Sequence, residues 1–197
     1  MRSCTIGVSI AVPEPHGSLL QERRVGFGDL AARAIPSHIT LLPPTKVDSA
    51  VLPAFREYLG GVAAGGTAFR LRLSGTGTFR PLSPVVYIQL AEGMRECSEL
   101  QERVRSGPVR RDLDFPYHPH VTIAHGIAEE AMDRAQRELA GFSACWTVAG
   151  FSLYEQGEDG VWRATGDCPF AQGVPVVPPQ TGYHRPTDAG AHTTHLA

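Results

Sequence analysis

The 197 residues carry 18 Lys and Arg against 20 Asp and Glu, a formal net charge of −2, with 42% hydrophobic residues. A chain of this length supports one domain or two small lobes sharing a core. The near-neutral balance excludes a protein that grips nucleic acid through bulk positive charge, although Lys46 is the only lysine and the Arg-dominated cations suit forked contacts to phosphate.

Cys4 to Val12 reads as a strand, with Ile6, Val8, Ile10 and Val12 alternating on one side. Its apolar run is too short for a secretory signal or a membrane crossing. Pro13 to Gly17 breaks it. A helix is predicted over Leu19 to Ile35, weakened by Gly26 and Gly28 and ended by Pro36. A second strand covers Ser37 to Leu42 and stops at Pro43 and Pro44. Asp48 or Ser49 caps a helix over Ala50 to Val62. Phe69 to Ser74 alternates as a half-buried strand, after which Gly75-Thr76-Gly77-Thr78-Phe79 bends away. Val85 to Leu90 is a continuous apolar strand, and Met94 to Val104 has helical spacing. Ser106 to Tyr117 is irregular. His118 to Ala124 is a strand ended by Gly126, and Ala128 to Leu139 is a helix with Glu129 and Glu130 in its first turn, where the dipole favours them. Trp146 to Tyr154 and Val161 to Ala164 form a closing hairpin around Gly157 to Gly160. The domain is assigned to residues 1–170. Residues 171–197, crowded with Pro, Gly and Thr, are expected to be a disordered tail because they bury too little apolar surface to offset ordering entropy. The tail histidines His184, His192 and His195 have no catalytic part in this reading.

Cys4, Cys97, Cys145 and Cys168 are scattered, with no CxxC, so a zinc ribbon or thioredoxin-like site is not indicated. Reduced thiols and a cytoplasmic location are expected.

The element order repeats: strand, helix, His-x-Thr strand, helix near the front, and the same from Val85 onward. The two triplets, His38-Ile39-Thr40 and His120-Val121-Thr122, lie about half of the ordered chain apart. Alternate residues of a strand share a face. His38 and Thr40 therefore point one way while Ile39 and Leu41 point the other, and the second triplet behaves likewise. If the polar faces meet, two imidazoles and two hydroxyls converge. One imidazole can take a proton from an attacking hydroxyl or water and the other can give one to the leaving oxygen. Thr40 and Thr122 can donate hydrogen bonds to the non-bridging phosphate oxygens. No metal or other cofactor is needed. Unperturbed imidazoles put the activity maximum at roughly pH 6 to 7.5.

The chain resembles the 2H phosphoesterase superfamily, close to its bacterial 2′-5′ RNA ligase-like (LigT-like) branch. The resemblance rests on Ser37-His38-Ile39-Thr40-Leu41, on Gly75-Thr76-Gly77-Thr78-Phe79 followed by Pro84-Val85-Val86-Tyr87-Ile88, and on Pro119-His120-Val121-Thr122-Ile123-Ala124. The last hairpin, with Phe151, Leu153, Tyr154 and Trp162, fits as well, so the match runs from about residue 4 to 170. It implies a bilobal α+β fold, two pseudo-symmetric antiparallel-type sheets flanked by helices with a central cleft. It also implies hydrolysis of 2′,3′-cyclic phosphates to 2′-phosphates, and in some members reversible 2′-5′ RNA joining. RNA ends or small nucleotides are the expected substrates, with no membrane partner and a monomeric chain. One departure is His125, where these proteins often carry Arg or Lys; a weaker or pH-dependent grip on an additional phosphate would follow. Phe79 and Tyr117 are candidates to stack on a base, with core packing the simpler role for Phe79 and a phosphate contact through its hydroxyl a second role for Tyr117. Arg80, Arg110 and Arg111 could add positive potential at the rim, but surface arginines are usually only solvated, and they are left out of the site.

Two alternatives stand beside the enzyme. One is a non-catalytic nucleotide- or RNA-binding protein of the same fold. The other is a zinc-dependent hydrolase using His118, His120 and His125, against which stand Pro119, the parity of His125 and the want of a neighbouring carboxylate or cysteine.

Overall fold

Alternating apolar residues give the first strand, β1 (Ser3–Ala11), which pairs antiparallel with β2 (His38–Asp48). The computed structural model describes residues 3–171. The expected tail therefore lies outside the described residues. Between β1 and β2 runs α1 (His16–Gly26), followed by a short 3-10 turn over Leu30–Arg33. The single helix predicted to Ile35 is thus cut short. Gly28 adopts φ 102°, a left-handed conformation that redirects the chain after Phe27.

β2 does not stop at Pro43. Its partners shift from Ile6 opposite Thr45 to Val8 opposite Leu42, so Pro43 and Pro44 share one position across from Gly7. A bulge needs no ladder N–H from its extra residue, which is where proline is tolerated inside a sheet. Asp48 then caps a 3-10 turn through Ala50 N–H at 3.0 Å, and α2 (Leu52–Ala64) follows. β3 (Phe69–Thr78) likewise continues where a bend was expected. Gly75, at φ 74°, absorbs a register shift between Leu73 and Thr76, and Thr76, Gly77 and Thr78 stay paired with β4 (Val85–Glu92). α3 (Met94–Arg105), β5 (His120–His125) and α4 (Glu129–Glu138) fall as predicted, except that His118 lies outside the strand. The predicted strand over Trp146 to Tyr154 divides at Ala149 into β6 (Ser143–Val148) and β7 (Gly150–Gln156). β6 pairs with β3, β7 with β1, and β8 (Trp162–Pro169) closes a hairpin on β7.

The order across the sheet is β6-β3-β4-β5-β2-β1-β7-β8. The α+β architecture and its internal two-fold echo are as expected. The two sheets, however, are halves of one eight-stranded sheet, joined at the seam by the pair Ile39 and Val121. Two things hold the seam. One core cluster runs through both halves, with Ile39, Leu41, Val121 and Ile123 fully buried. The helices also cross it: α1 packs on β5 and α3 on β2. Burying each such aliphatic side chain contributes roughly 1.5–3 kcal/mol. A one-residue slip of either strand would expose these residues and turn the histidines into the core, so the same packing that stabilises the sheet sets the register of the polar face.

Candidate active site

Antiparallel pairing of Ile39 with Val121 sets His38 across from Thr122 and Thr40 across from His120. The four residues are half-buried on one face of the sheet, opposite the four apolar ones. Both predicted triplets therefore meet on adjacent strands.

The two imidazoles are anchored the same way. His38 Nδ1 lies 2.7 Å from the carbonyl oxygen of Pro36, and His120 Nδ1 lies 2.7 Å from that of His118. A carbonyl can only accept, so each Nδ1 carries the proton and donates it. Nε2 is left as the free nitrogen of each ring: a lone pair when the ring is neutral, a donor when it is charged. Burial lowers the pKa of both. For His38 the next influences are the Pro36 carbonyl, which opposes the shift, and the Arg24 guanidinium, which adds to it. For His120 burial brings the value to about 4, with further lowering from His118 and His38. The mutual effect on His120 places the two rings within electrostatic reach of each other.

Their surroundings differ. Beside His38 is a cavity of about 30 Å³, bounded among others by Ser9, Pro36, Thr40, Tyr154 and Trp162. Behind it, Arg24 and Asp29 form a buried ion pair at 2.7 Å. His120 stands in an aromatic box: Phe79 meets its ring edge-on at 5.0 Å, Tyr87 lies at 5.2 Å, and the His118 ring stacks at 6.5 Å. Gly77 makes the box possible, because a Cβ there would come within 2.6 Å of the Tyr87 ring. Next to the box opens a groove of about 520 Å³ that reaches Thr40 and is walled by the segment joining α3 to β5.

The remaining sequence candidates divide. Phe79 lines the groove while packing on Tyr87 at 4.4 Å. Tyr117 also lines it, but its hydroxyl donates to the Thr40 carbonyl at 2.9 Å, tying the groove wall to β2. Burial pushes the Tyr117 phenol well above its ordinary value, so it stays protonated. His125 is exposed at the end of β5, opposite Val85, and lines neither cavity. Arg80 is held by Glu129 and Asp133 of α4, and Arg111 donates to the Pro44 carbonyl at 2.7 Å. Arg80 is thus neutralised by carboxylates, whereas Arg111 bonds a neutral carbonyl and keeps its charge on the groove wall. Among the described residues no group of three or more His, Cys, Asp or Glu is placed to hold a metal ion. Sequence reading missed Tyr87, Tyr154 and Trp162. Tyr87 sits in an apolar run that hides its polar parity, and its one signal is the glycine across the strand pair, Gly77.

Residues 12–160 match the model of the 2′-5′ RNA ligase superfamily. Curated relatives carrying the name "Putative phosphoesterase" in Bacillus thuringiensis (strain Al Hakam) and Bacillus anthracis (strain A0248) are each 28% identical over 130 residues, 65% of this chain and 75% of theirs. Among solved structures, E. coli LigT complexed with 3′-AMP aligns with a TM-score of 0.63 at 18% identity, covering 87% of this chain and all of that one. TT0787 of Thermus thermophilus aligns with a TM-score of 0.60 at 22% identity, covering 85% of this chain and 98% of its own. E. coli LigT has also been solved complexed with ATP and with NADP+. At these identities the solved structures establish a shared fold.

Proposed function

The chain belongs to the 2′-5′ RNA ligase superfamily, a family of phosphoesterases, and from that premise we propose that it is a metal-independent phosphodiesterase acting on 2′,3′-cyclic phosphates or 2′-5′ linkages of RNA or nucleotides. The observation that carries this reading is the pair of identical anchors: each Nδ1–H is spent on the carbonyl two residues back, which leaves two Nε2 atoms for proton transfer on one shared face.

In the cyclic reaction, one neutral imidazole takes a proton at Nε2 from the attacking water as the new P–O bond forms. The other, charged, gives its Nε2 proton to the departing ring oxygen as the old P–O bond breaks. The product is a phosphomonoester, a 2′-phosphate when the 3′ oxygen leaves. The hydroxyls of Thr40 and Thr122 donate to the non-bridging oxygens. With Arg80 paired to two carboxylates, the positive charge placed at the rings themselves comes from the imidazolium. That charge is matched to an anionic substrate: bound phosphate offsets the burial that otherwise keeps both rings neutral.

Turnover of a nucleoside 2′,3′-cyclic phosphate in the presence of EDTA tests the reading. Retained turnover that is lost in His38→Ala and in His120→Ala supports it. Binding without turnover would make the protein a binding module, and loss of activity to the chelator would move the chemistry to a metal.

A further inference from the structure

Each paired imidazole donates to a carbonyl two residues back, but the two carbonyls are secured in different ways. Pro36, whose carbonyl holds His38, is followed by Ser37, a buried residue whose hydroxyl donates to the Gly17 carbonyl in the first turn of α1 at 3.0 Å. The Ser37 carbonyl in turn accepts from the Val12 N–H at 3.0 Å. Gly17 leaves no slack there, since a Cβ on it would come within 2.5 Å of the Val12 carbonyl oxygen. The His38 anchor is thus tied to its own half of the sheet. His118, whose carbonyl holds His120, lies outside β5, between Tyr117 and the buried Pro119. Proline fixes its own φ and biases the residue before it toward extended backbone, so the His118 carbonyl follows whatever holds the segment ahead of it. That hold is the Tyr117 hydroxyl, which donates to the Thr40 carbonyl at 2.9 Å. Thr40 belongs to the other triplet, across the seam. Among the described residues β2 and β5 are registered through one pair, Ile39 with Val121, so the Tyr117 bond is a second tie between the halves, placed beside both triplets.

We infer that Tyr117 is a positioning residue that carries the geometry of the first triplet to the second: its hydroxyl fixes the His118 carbonyl, and through it the His120 ring, relative to Thr40. For its effect on turnover the inference rests on the proposed proton-transfer chemistry; its effect on the ring does not. In that chemistry the Thr40 hydroxyl and His120 Nε2 serve one phosphate, so a fixed separation between them is what turnover needs. His120 is then aimed from β2, whereas His38 is aimed from α1. The two roles that the sequence suggested for Tyr117 respond differently to loss of the hydroxyl. Stacking on a base would survive it, and a phosphate contact through the hydroxyl would show as weaker binding. Positioning shows instead in the His120 ring, with no ligand present, and in kcat.

Tyr117→Phe removes the donor and keeps the ring. At neutral pH, where burial leaves both imidazoles uncharged, the nitrogen NMR shifts of the two side chains, assigned with His38→Ala and His120→Ala, read which nitrogen carries the proton. In the wild type both rings should carry it at Nδ1. In Tyr117→Phe the His120 ring should lose that fixed tautomer while His38 keeps it, and Ser37→Ala should do the reverse. On a nucleoside 2′,3′-cyclic phosphate, Tyr117→Phe should lower kcat about 10-fold or more, as small misplacements of reacting groups do, with KM within about 2-fold of the wild type. Tyr117→Leu, which also lacks the hydroxyl, repeats the test if the phenylalanine variant does not fold. An unchanged His120 tautomer without the hydroxyl, or an equal loss at both rings in either the Tyr117 or the Ser37 variant, overturns the inference. So does a rise in KM at unchanged kcat, which would make the hydroxyl a substrate contact. A selective change at His120 in a protein that does not hydrolyse the ester would keep the tie between the halves and sink the catalytic proposal instead.

Discussion

The two halves of the cleft carry the same triplet and the same Nδ1 anchor, yet they hold them in opposite surroundings. His38 is backed by a buried ion pair and faces a space of water size. His120 is boxed by three rings and faces a groove of about 520 Å³. In the proposed mechanism, the two-fold echo is kept at the groups that transfer protons and lost in what surrounds them. If so, changes to the shared parts should cost similarly on both sides, while changes to the surroundings should cost on one side only.

The largest effect is expected from the shared parts. His38→Ala and His120→Ala should each lower kcat by about 10²–10⁴-fold with the fold intact, since each removes one proton-transfer group. Steady-state rates with circular dichroism check this, and near wild-type turnover in either variant would break the symmetry at its root.

The next effect is one-sided. Asp29→Ala leaves the Arg24 guanidinium buried without its partner, and should destabilise the protein by about 3–5 kcal/mol in urea unfolding. The same variant removes the anion that offsets Arg24. His38, already lowered by that guanidinium, should then titrate lower still, with His120 unmoved. A stability loss well under 1 kcal/mol would show that the pair is incidental to the His38 side.

A smaller loss is expected from the hydroxyls. Thr40→Val and Thr122→Val keep the β-branched shape and remove one donor each, so kcat should fall by roughly 10²-fold at most, with little change in unfolding. The two values should be similar, because Thr40 stands across from His120 and Thr122 across from His38. A strongly unequal pair would assign the phosphate to one half.

Much of the shared half of this comparison was readable from the sequence. The His-x-Thr parity, the repeat of strand and helix, and the apolar residues between the polar ones all follow from a period of two, and a period of two survives in a real sheet. The local irregularities were not readable. Pro43 and Pro44 read as a stop, and Gly75 as a bend, because a bulge looks like a breaker until the partner strand is known. Trp146 to Tyr154 read as one strand because nothing local says that its two parts pair at opposite sides of the sheet. The surroundings of the site were hidden for a similar reason. Tyr117 sits in an irregular stretch, and only the tertiary fold brings its hydroxyl to Thr40. The partners of Arg80 and Arg111 were hidden in the same way, since the carboxylates and the carbonyl that hold them come from distant parts of the chain.

The pH profile follows from what the halves share. Both imidazoles are lowered by burial, so in the free enzyme both are neutral at pH 7. In the proposed mechanism the productive state has one proton on the pair. kcat/KM should therefore rise as pH falls toward the first ionisation and decline once both rings are charged, which puts its maximum below the ordinary imidazole value of about 6.5. This moves the expectation from unperturbed histidines, roughly pH 6 to 7.5, to the acid side. kcat, which reports the complex, should peak at a higher pH than kcat/KM because bound phosphate favours the charged ring. Coincident maxima near pH 7.5 would contradict the burial of both rings.

The smallest expected effect separates the halves most cleanly. His118 contributes to His120 in two opposed ways: its backbone carbonyl accepts from Nδ1 and favours the charged ring, while its own imidazole, when protonated, disfavours it. His118→Phe keeps the carbonyl and a ring of similar size against Phe79 and Tyr87, and removes only the charge. With that repulsion gone, His120 should hold its proton to a higher pH, moving its NMR titration midpoint up from about 4 by a fraction of a unit. For His38 the cationic neighbour is Arg24, which this substitution leaves in place, so its midpoint should change only through the weaker coupling to His120. A downward move of the His120 midpoint would mean that the ring of residue 118 supports the charged imidazole. An equal move of both midpoints would mean that the pair titrates as one unit, with no division between the halves at the level of protons.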